Sequence, residues 1–380
     1  MGEKAILMEN GLIKAVVVPS LSGRIAVLQD VNGKNLMMEY EYKNKVPYWK
    51  SGNLAGYNDM IRQEGVRKNE YAYKCTSKEA GKSGAVLELQ LETANKVLVR
   101  RMTLAEGSRV IDMEIKVTSR NSEPVDWSYW TLMQVAPGGH LIGENTVAFV
   151  PAAAGKSDES GGNNSAMEML IEAGYNLQDK ANLTADTLLE GAPGSSVSFN
   201  VKHGQPWRVV MDTKTNEGLG TLFVRDEVKN AVAYFCSSAV DSTMEVVFPK
   251  RTFNPGDTAS YHVGLAALRG LERVDWMDQN MAVACKGERL ITLGKDGELQ
   301  FCVLPLQTAG DMKLSVLLRN VKDGMTVGPW TAALKGRAAD AEDVSVKLTS
   351  DTLQVGVYEV LVGEKGKAMP ILGRLIKVTK

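Results

Sequence analysis

The sequence predicts an all-β protein, and three observations carry that expectation. Apolar residues recur with a period of two, polar turn signals separate the alternating runs, and helical periodicity is scarce. In LELQLET, residues 87–93, Leu87, Leu89 and Leu91 alternate with Glu88, Gln90 and Glu92. Ile111, Met113, Ile115 and Val117 alternate in the same way with Asp112, Glu114 and Lys116. Strands of this kind bury one face and wet the other, as antiparallel sheet does. Turns are marked by DVNGK (30–34), AEGS (105–108), NPGD (254–257), GKDGE (294–298) and GEKGK (363–367).

Taken in chain order, NGLIKAVVVPSLSGRIAVLQDVNGKNLM (10–37) reads as a strand, a Pro-to-Gly turn and a second strand. SGNLAGYNDMIRQEG (51–65) reads as a Gly-punctuated loop that gathers Asn53, Tyr57, Asn58, Asp59, Arg62 and Gln63. Such a loop offers a fork of donors to hydroxyls or to a carboxylate, and reads equally as a salt-bridged surface loop. Arg100 and Arg101 are neighbours on a strand and therefore face opposite ways. The aromatic strand ending in WTLMQVAPGG (130–139) follows a polar Asn turn. PAAAGKSDESGGNNSA (151–166) reads as a long exposed loop. The two helix candidates are SAMEMLIEAGYNLQ (165–178) and LERVDWMDQNM (271–281). Beyond them come short, regular strands: ELQFCVLPL, MKLSVLLRN, VSVKLTS, VYEVLVG and ILGRLIKVTK. Their spacing predicts a small immunoglobulin-like sandwich. The expected organisation is a large β domain over 1–275 and a small one over 285–380.

Composition excludes several function classes. The chain has 380 residues and a formal net charge of −1, so no global basic field exists to hold a polyanion, and nucleic acid is not an expected partner. No run of about 18 apolar residues predicts a membrane span. The start, MGEKAILMENGL, carries no basic-then-apolar signal segment. None of the four cysteines (Cys75, Cys236, Cys285, Cys302) forms a C-x-x-C pair, and no Cys/His cluster has zinc spacing. They read as buried free thiols, with one or two disulfides as the alternative. No metal and no cofactor is expected, because nucleophile-elbow, zincin, P-loop and dinucleotide signatures are all missing.

Three fragments, in order, resemble the galactose mutarotase-like (aldose 1-epimerase) superfamily. Residues 10–37 look like its opening hairpin, 97–130 like its central strands, and MEVVFPKRTFNPGDTASYHVGL (244–265) like its last strands. The resemblance spans roughly residues 1–270. It implies a β-supersandwich, two large antiparallel sheets packed face to face, with a sugar groove on one concave side. Tyr57, Trp127, Tyr129 and Trp130 would supply flat faces for a sugar ring. Read singly, each is more simply a core residue.

Mutarotation opens and recloses a pyranose ring. A base takes the C1 hydroxyl proton while an acid protonates the ring oxygen, and a carboxylate and an imidazole form a natural pair. The resemblance places the base at Glu245, which interrupts the apolar run Val246, Val247, Phe248. The family's histidine strand falls on 129–135, which holds Thr131, Met133 and Gln134 but no histidine. Gln134 donates a hydrogen bond but transfers no proton at neutral pH. His140 and His262 are the remaining candidates for the acid. His262 is expected on the sheet that bears Glu245, and His203 sits in a turn. Asn58, Asp59, Arg62, Arg100, Trp130 and Gln134 are the candidate substrate-binding residues, and a sugar or oligosaccharide is the expected partner. The alternatives are a non-catalytic carbohydrate-binding protein and an accessory module of polysaccharide degradation. The small second domain favours these alternatives and a periplasmic or extracellular setting over a cytoplasmic one.

Overall fold

A computed structural model describes the chain except for residues 1–3, 39–55, 63–71, 140–144, 153–186, 191–196, 203, 230, 238–241, 288–289, 293–296, 309–311, 349–352 and 364–368. The described chain is nearly all β, as the alternation requires. It divides into two compact units, Met1–Leu268 and Arg269–Lys380.

Strands are numbered in chain order. The first unit contains two nine-stranded sheets. One runs β1 (Ile6–Glu9), β2 (Ile13–Val18), β3 (Arg24–Asp30), β4 (Gly56–Arg62), β9 (Val125–Gln134), β16 (Ser242–Val247), β15 (Val232–Ser237), β12 (Val197–Lys202), and β17 (Arg251–Phe253) pairs with the start of β9. The other runs β11 (Thr187–Glu190), β10 (Thr146–Ala152), β13 (Trp207–Asp212), β14 (Glu217–Phe223), β18 (Thr258–Arg269), β8 (Val110–Ser119), β7 (Lys96–Ala105), β6 (Gly84–Glu92), β5 (Lys74–Gly81). A single core joins them. Ile25, Tyr57, Tyr129, Met133, Met244 and Val246 of the first sheet meet Leu89, Met102, Met113, Ile115, Leu219 and Val263 of the second. This two-sheet β architecture is of the expected fold class.

The period-two reading holds on β6 and β8. Leu87, Leu89 and Leu91 are buried on β6, as are Ile111, Met113, Ile115 and Val117 on β8. Strand β9 differs: it is buried from Trp127 to Gln134, on both faces. The segment expected to be a loop at 51–65 is a strand over its described part. Strand β4 pairs antiparallel with β9 from Gly56↔Gln134 to Arg62↔Ser128. Tyr57 and Ile61 point to the core while Asn58 and Met60 take the other side. Its polar side chains hid a strand whose polarity serves a buried cluster rather than solvent. Gly56 opens it at a φ of 96°, where any Cβ would collide with the Ile25 carbonyl of β3.

The second unit packs a four-stranded sheet, β19 (Trp276–Met277), β20 (Met281–Lys286), β22 (Gly297–Pro305) and β25 (Glu342–Leu348), against a five-stranded one. The latter runs β21 (Leu290–Thr292), β27 (Met369–Thr379), β26 (Gly356–Gly363), β23 (Lys313–Asn320), β24 (Thr326–Ala333). Both contribute to one core, through Val283, Phe301 and Val346 on one side and Val316, Val360 and Ile376 on the other. The helix expected at 271–281 is instead a turn and the strands β19 and β20. Asp278 accepts the backbone amides of Asn280 and Met281, and Met281–Ala284 are all buried. The carboxylate favours the turn, and continuous burial suits an inner strand better than an amphipathic helix. The helix candidate at 165–178, and the loop beyond Ala152, lie outside the described residues. No helix of the described chain is long and apolar enough to cross a membrane.

Candidate functional site

Strands β4, β9 and β16 lie side by side at the centre of the first sheet. Parity along each strand sorts their side chains. Tyr57, Tyr129, Met133, Met244 and Val246 join the core between the sheets. Met60, Trp130, Leu132 and Val247 form a separate apolar cluster on the opposite face. The registers align this face in three rows: Gly56, Gln134 and Thr243; Asn58, Leu132 and Glu245; Met60, Trp130 and Val247. Glu245 and Asn58 thus flank Leu132, and Gln134 and Trp130 lie on either side of it along β9.

Two members of this face stand out physically. Glu245 is half-buried, on a strand otherwise made of apolar residues and threonine or serine. Asn58 is 2% exposed, and both its amide oxygen and its amide nitrogen are buried with no hydrogen-bond partner among the described residues. Buried amides are nearly always satisfied, and leaving one unmade costs about 1–3 kcal/mol. The arrangement presents a carboxylate and two primary amides around an aromatic–aliphatic platform.

The structure separates the other candidates from this face. Asp59 is 8% exposed and points into the core. Its Oδ1 accepts hydrogen bonds from the hydroxyls of Tyr57 (2.7 Å) and Tyr129 (2.5 Å), which lie 3.0 Å from each other. Its Oδ2 accepts one from Arg100 Nε at 2.6 Å, and a second Arg100 nitrogen makes an ion-pair contact with the same oxygen. Arg100 is fully buried on β7 of the other sheet and also donates to the Gly23 carbonyl. It stands over the rings of Tyr57 and Tyr73. Burial works against its charge, but Asp59 and the surrounding tyrosines outweigh that and raise its pKa. Burial, reinforced by the Asp59 charge, holds the Tyr57 and Tyr129 hydroxyls well above their ordinary range. Asp59 and Arg100 therefore bind each other across the sandwich. Tyr57, Trp127 and Tyr129 are core residues, and of the four aromatics only Trp130 lies on the face with Glu245.

His262 does not share a sheet with Glu245, contrary to expectation. It lies on β18 of the second sheet, between the core residues Tyr261 and Val263, so its ring faces outward from that sheet. There its Nδ1 bonds Glu227 Oε1 at 2.6 Å, while Glu227 Oε2 accepts the His262 backbone amide at 2.7 Å. The whole core separates it from Glu245. Alternating strands explain the mistake: neighbouring sequence segments, 242–247 and 258–269, enter different sheets. His140, His203 and the Arg62 side chain lie outside the described residues, although the Arg62 backbone closes β4 opposite Ser128.

Sequence reasoning missed Arg208. This residue of β13 is fully buried, donates to the carbonyls of Met244 (3.2 Å) and Glu245, and lies 3.5 Å from Thr131 Oγ1. Thr131 Oγ1 in turn accepts the Val246 amide at 3.2 Å. An arginine in WRVVMD, a strand buried at all six positions, was the available signal. The Pro137–Gly139 turn that ends the site strand packs on β13 as well. A Cβ at Gly138, whose φ is 71°, would meet Thr215 Oγ1 at 2.9 Å and Asp212 at 3.1 Å. Cys75, expected to be buried, is exposed; Cys285 and Cys302 are also free thiols, and the Cys236 side chain lies outside the described residues. No group of three or more His, Cys, Asp or Glu among the described residues is arranged to hold a metal ion.

No family model matches the chain, and no curated protein does. Among solved structures it is similar to the Slr1438 protein of Synechocystis sp. PCC 6803, with 10% identity over 71% of this chain and 97% of that one and a TM-score of 0.49. It is also similar to a galactose mutarotase-like protein from Clostridium acetobutylicum (12% identity, 70% of this chain, 96% of that one, TM-score 0.48). A galactose mutarotase-like protein from Lactobacillus casei ATCC 334 shows 9% identity over 70% of this chain and all of that one, with a TM-score of 0.46.

Proposed function

We propose that this protein binds carbohydrate on the β4–β9–β16 face and acts there as an aldose 1-epimerase-like protein, with Glu245 as the base. The observation that carries the reading is Asn58. Its amide is buried, with no hydrogen-bond partner among the described residues, in the same cross-strand row as Glu245. A sugar hydroxyl both donates and accepts, so it would meet both ends of such an amide. Trp130 and Leu132 would take the apolar face of the ring, and Gln134 a further hydroxyl. Glu245 would remove the C1 hydroxyl proton while the ring oxygen is protonated, opening the ring so that it recloses as the other anomer.

The second reading is a non-catalytic sugar-binding protein. It is favoured by the position of His262, which leaves no imidazole beside Glu245 among the described residues. One experiment decides between them: anomer interconversion followed by NMR exchange over a panel of hexoses and uronic acids, for wild type and Glu245→Gln. The enzyme reading expects acceleration that the variant loses while sugar-induced line broadening persists. Broadening without acceleration in the wild type selects the binding protein. Neither effect with monosaccharides or short oligosaccharides removes both readings.

A further inference from the structure

Arg208 is a buried cation whose hydrogen-bond partners among the described residues are backbone carbonyls and a hydroxyl, with no carboxylate. Its guanidinium crosses the core from β13 and grips the backbone of β16 at Met244 and Glu245. With Thr131 holding the Val246 amide, core side chains hold one backbone polar group on each of three consecutive residues, Met244, Glu245 and Val246. The guanidinium sits over the Phe223 ring, 5.5 Å from its centroid, and makes no ion pair with a carboxylate among the described residues. Titratable groups facing it are Glu245 from β16 and the Tyr57 phenol from β4. Burial pulls Arg208 down to about 9, against the pull of Glu245 and Tyr57, so it stays charged at neutral pH. A guanidinium buried without a counter-ion in contact is costly, and a methionine would fill much the same volume without that cost. Carbonyl dipoles alone are a poor return for that cost. A carboxylate beyond them is a better one.

We propose that Arg208 is the positioning residue of Glu245: from the core side it fixes the strand that carries the carboxylate and keeps that carboxylate ionised on the opposite face. This rests on reading Glu245 as the reactive group. A base must be deprotonated before substrate arrives, and half-burial on an apolar strand pushes a carboxyl the other way. A cation under the strand offsets that push without occupying the substrate face, where an arginine would form an ion pair with the base and block it.

The test is a carbon-13 carboxyl titration of Glu245, assigned with Glu245→Gln, in wild type, Arg208→Met and Arg208→Lys. The expected result is a Glu245 midpoint at or below the ordinary glutamate value in wild type, raised by about one unit in Arg208→Met and restored towards wild type in Arg208→Lys. An unchanged midpoint in folded Arg208→Met would mean a structural clasp only and would overturn the proposal. So would a clearly raised midpoint in wild type, which decides the matter even if neither variant folds. The titration needs no sugar. A shifted midpoint without any anomer exchange would refute the epimerase reading and leave the electrostatic coupling standing, whereas exchange that depends on Glu245 with no shift would refute the coupling alone.

Discussion

An amide that folding leaves unsatisfied is destabilising unless something else meets it, and among the described residues nothing meets the Asn58 amide. Asn58→Leu keeps the volume and removes the penalty. It is expected to stabilise the free protein by about 1 kcal/mol, read as a higher urea midpoint with an unchanged m-value, and to abolish sugar-induced NMR shifts. A less stable variant would mean that the amide is already satisfied without ligand, and the site would lose its main support. Asp59 behaves in the opposite way. It accepts from two tyrosine hydroxyls and from Arg100, all within the core. Asp59→Ala strands a guanidinium and is expected to cost about 3–5 kcal/mol, the range for breaking one half of a buried ion pair. Chemical denaturation measures it, and a loss under about 1 kcal/mol would show that Arg100 finds other partners. Adjacent in sequence, Asn58 and Asp59 differ in role because successive strand residues face opposite sides.

Strand β9 joins the two chemistries. Its odd-numbered residues from Trp127 to Met133 serve the core, and Trp130, Leu132 and Gln134 serve the face with Glu245. Thr131 belongs to the core set, yet its hydroxyl is spent on the Val246 amide. Thr131→Val preserves shape and leaves that buried N–H short of a partner. A loss of about 1–2 kcal/mol follows, together with faster hydrogen exchange at Val246; unchanged exchange there would show that the ladder alone satisfies the amide. The alternation was legible in the sequence for β6 and β8, where one face is wet. It was not legible for β4, whose polar residues looked like a loop, because burial of a polar cluster reverses the usual meaning of polarity. Nor was it legible for the 271–281 segment, where an aspartate-capped turn separates two buried strands.

At the scale of the molecule, the tyrosine cluster between the sheets sets an alkaline limit. Burial raises the folded-state pKa of Tyr57 and Tyr129 well above the ordinary 10.0. The unfolded chain therefore releases those protons first, so the stability these residues contribute is intact below pH 10.0 and falls as pH rises above it. Part of the phenolate absorbance from the 11 tyrosines should appear only together with loss of the β-sheet circular dichroism signal. Full titration in a still-folded protein would contradict the buried cluster. The second unit has a core of its own. Residues 269–380 expressed alone are expected to give a dispersed, β-type amide spectrum; a collapsed spectrum would make that core dependent on the first unit.

The sequence by itself determined the all-β class and the place of Glu245 as a charge beside the apolar run Val246, Val247, Phe248. These are local properties: side-chain period, turn chemistry and composition act over a few residues. Only the tertiary structure decided which charges meet. Arg100 and Asp59, 41 residues apart, cancel each other within the core. Glu245 and His262, only 17 apart in sequence, end on opposite sides of it, while Arg208 arrives beneath Glu245 from the other sheet. Charge acts through distance in space, and in a sandwich that distance is set by which sheet each strand joins, which no short stretch of sequence encodes.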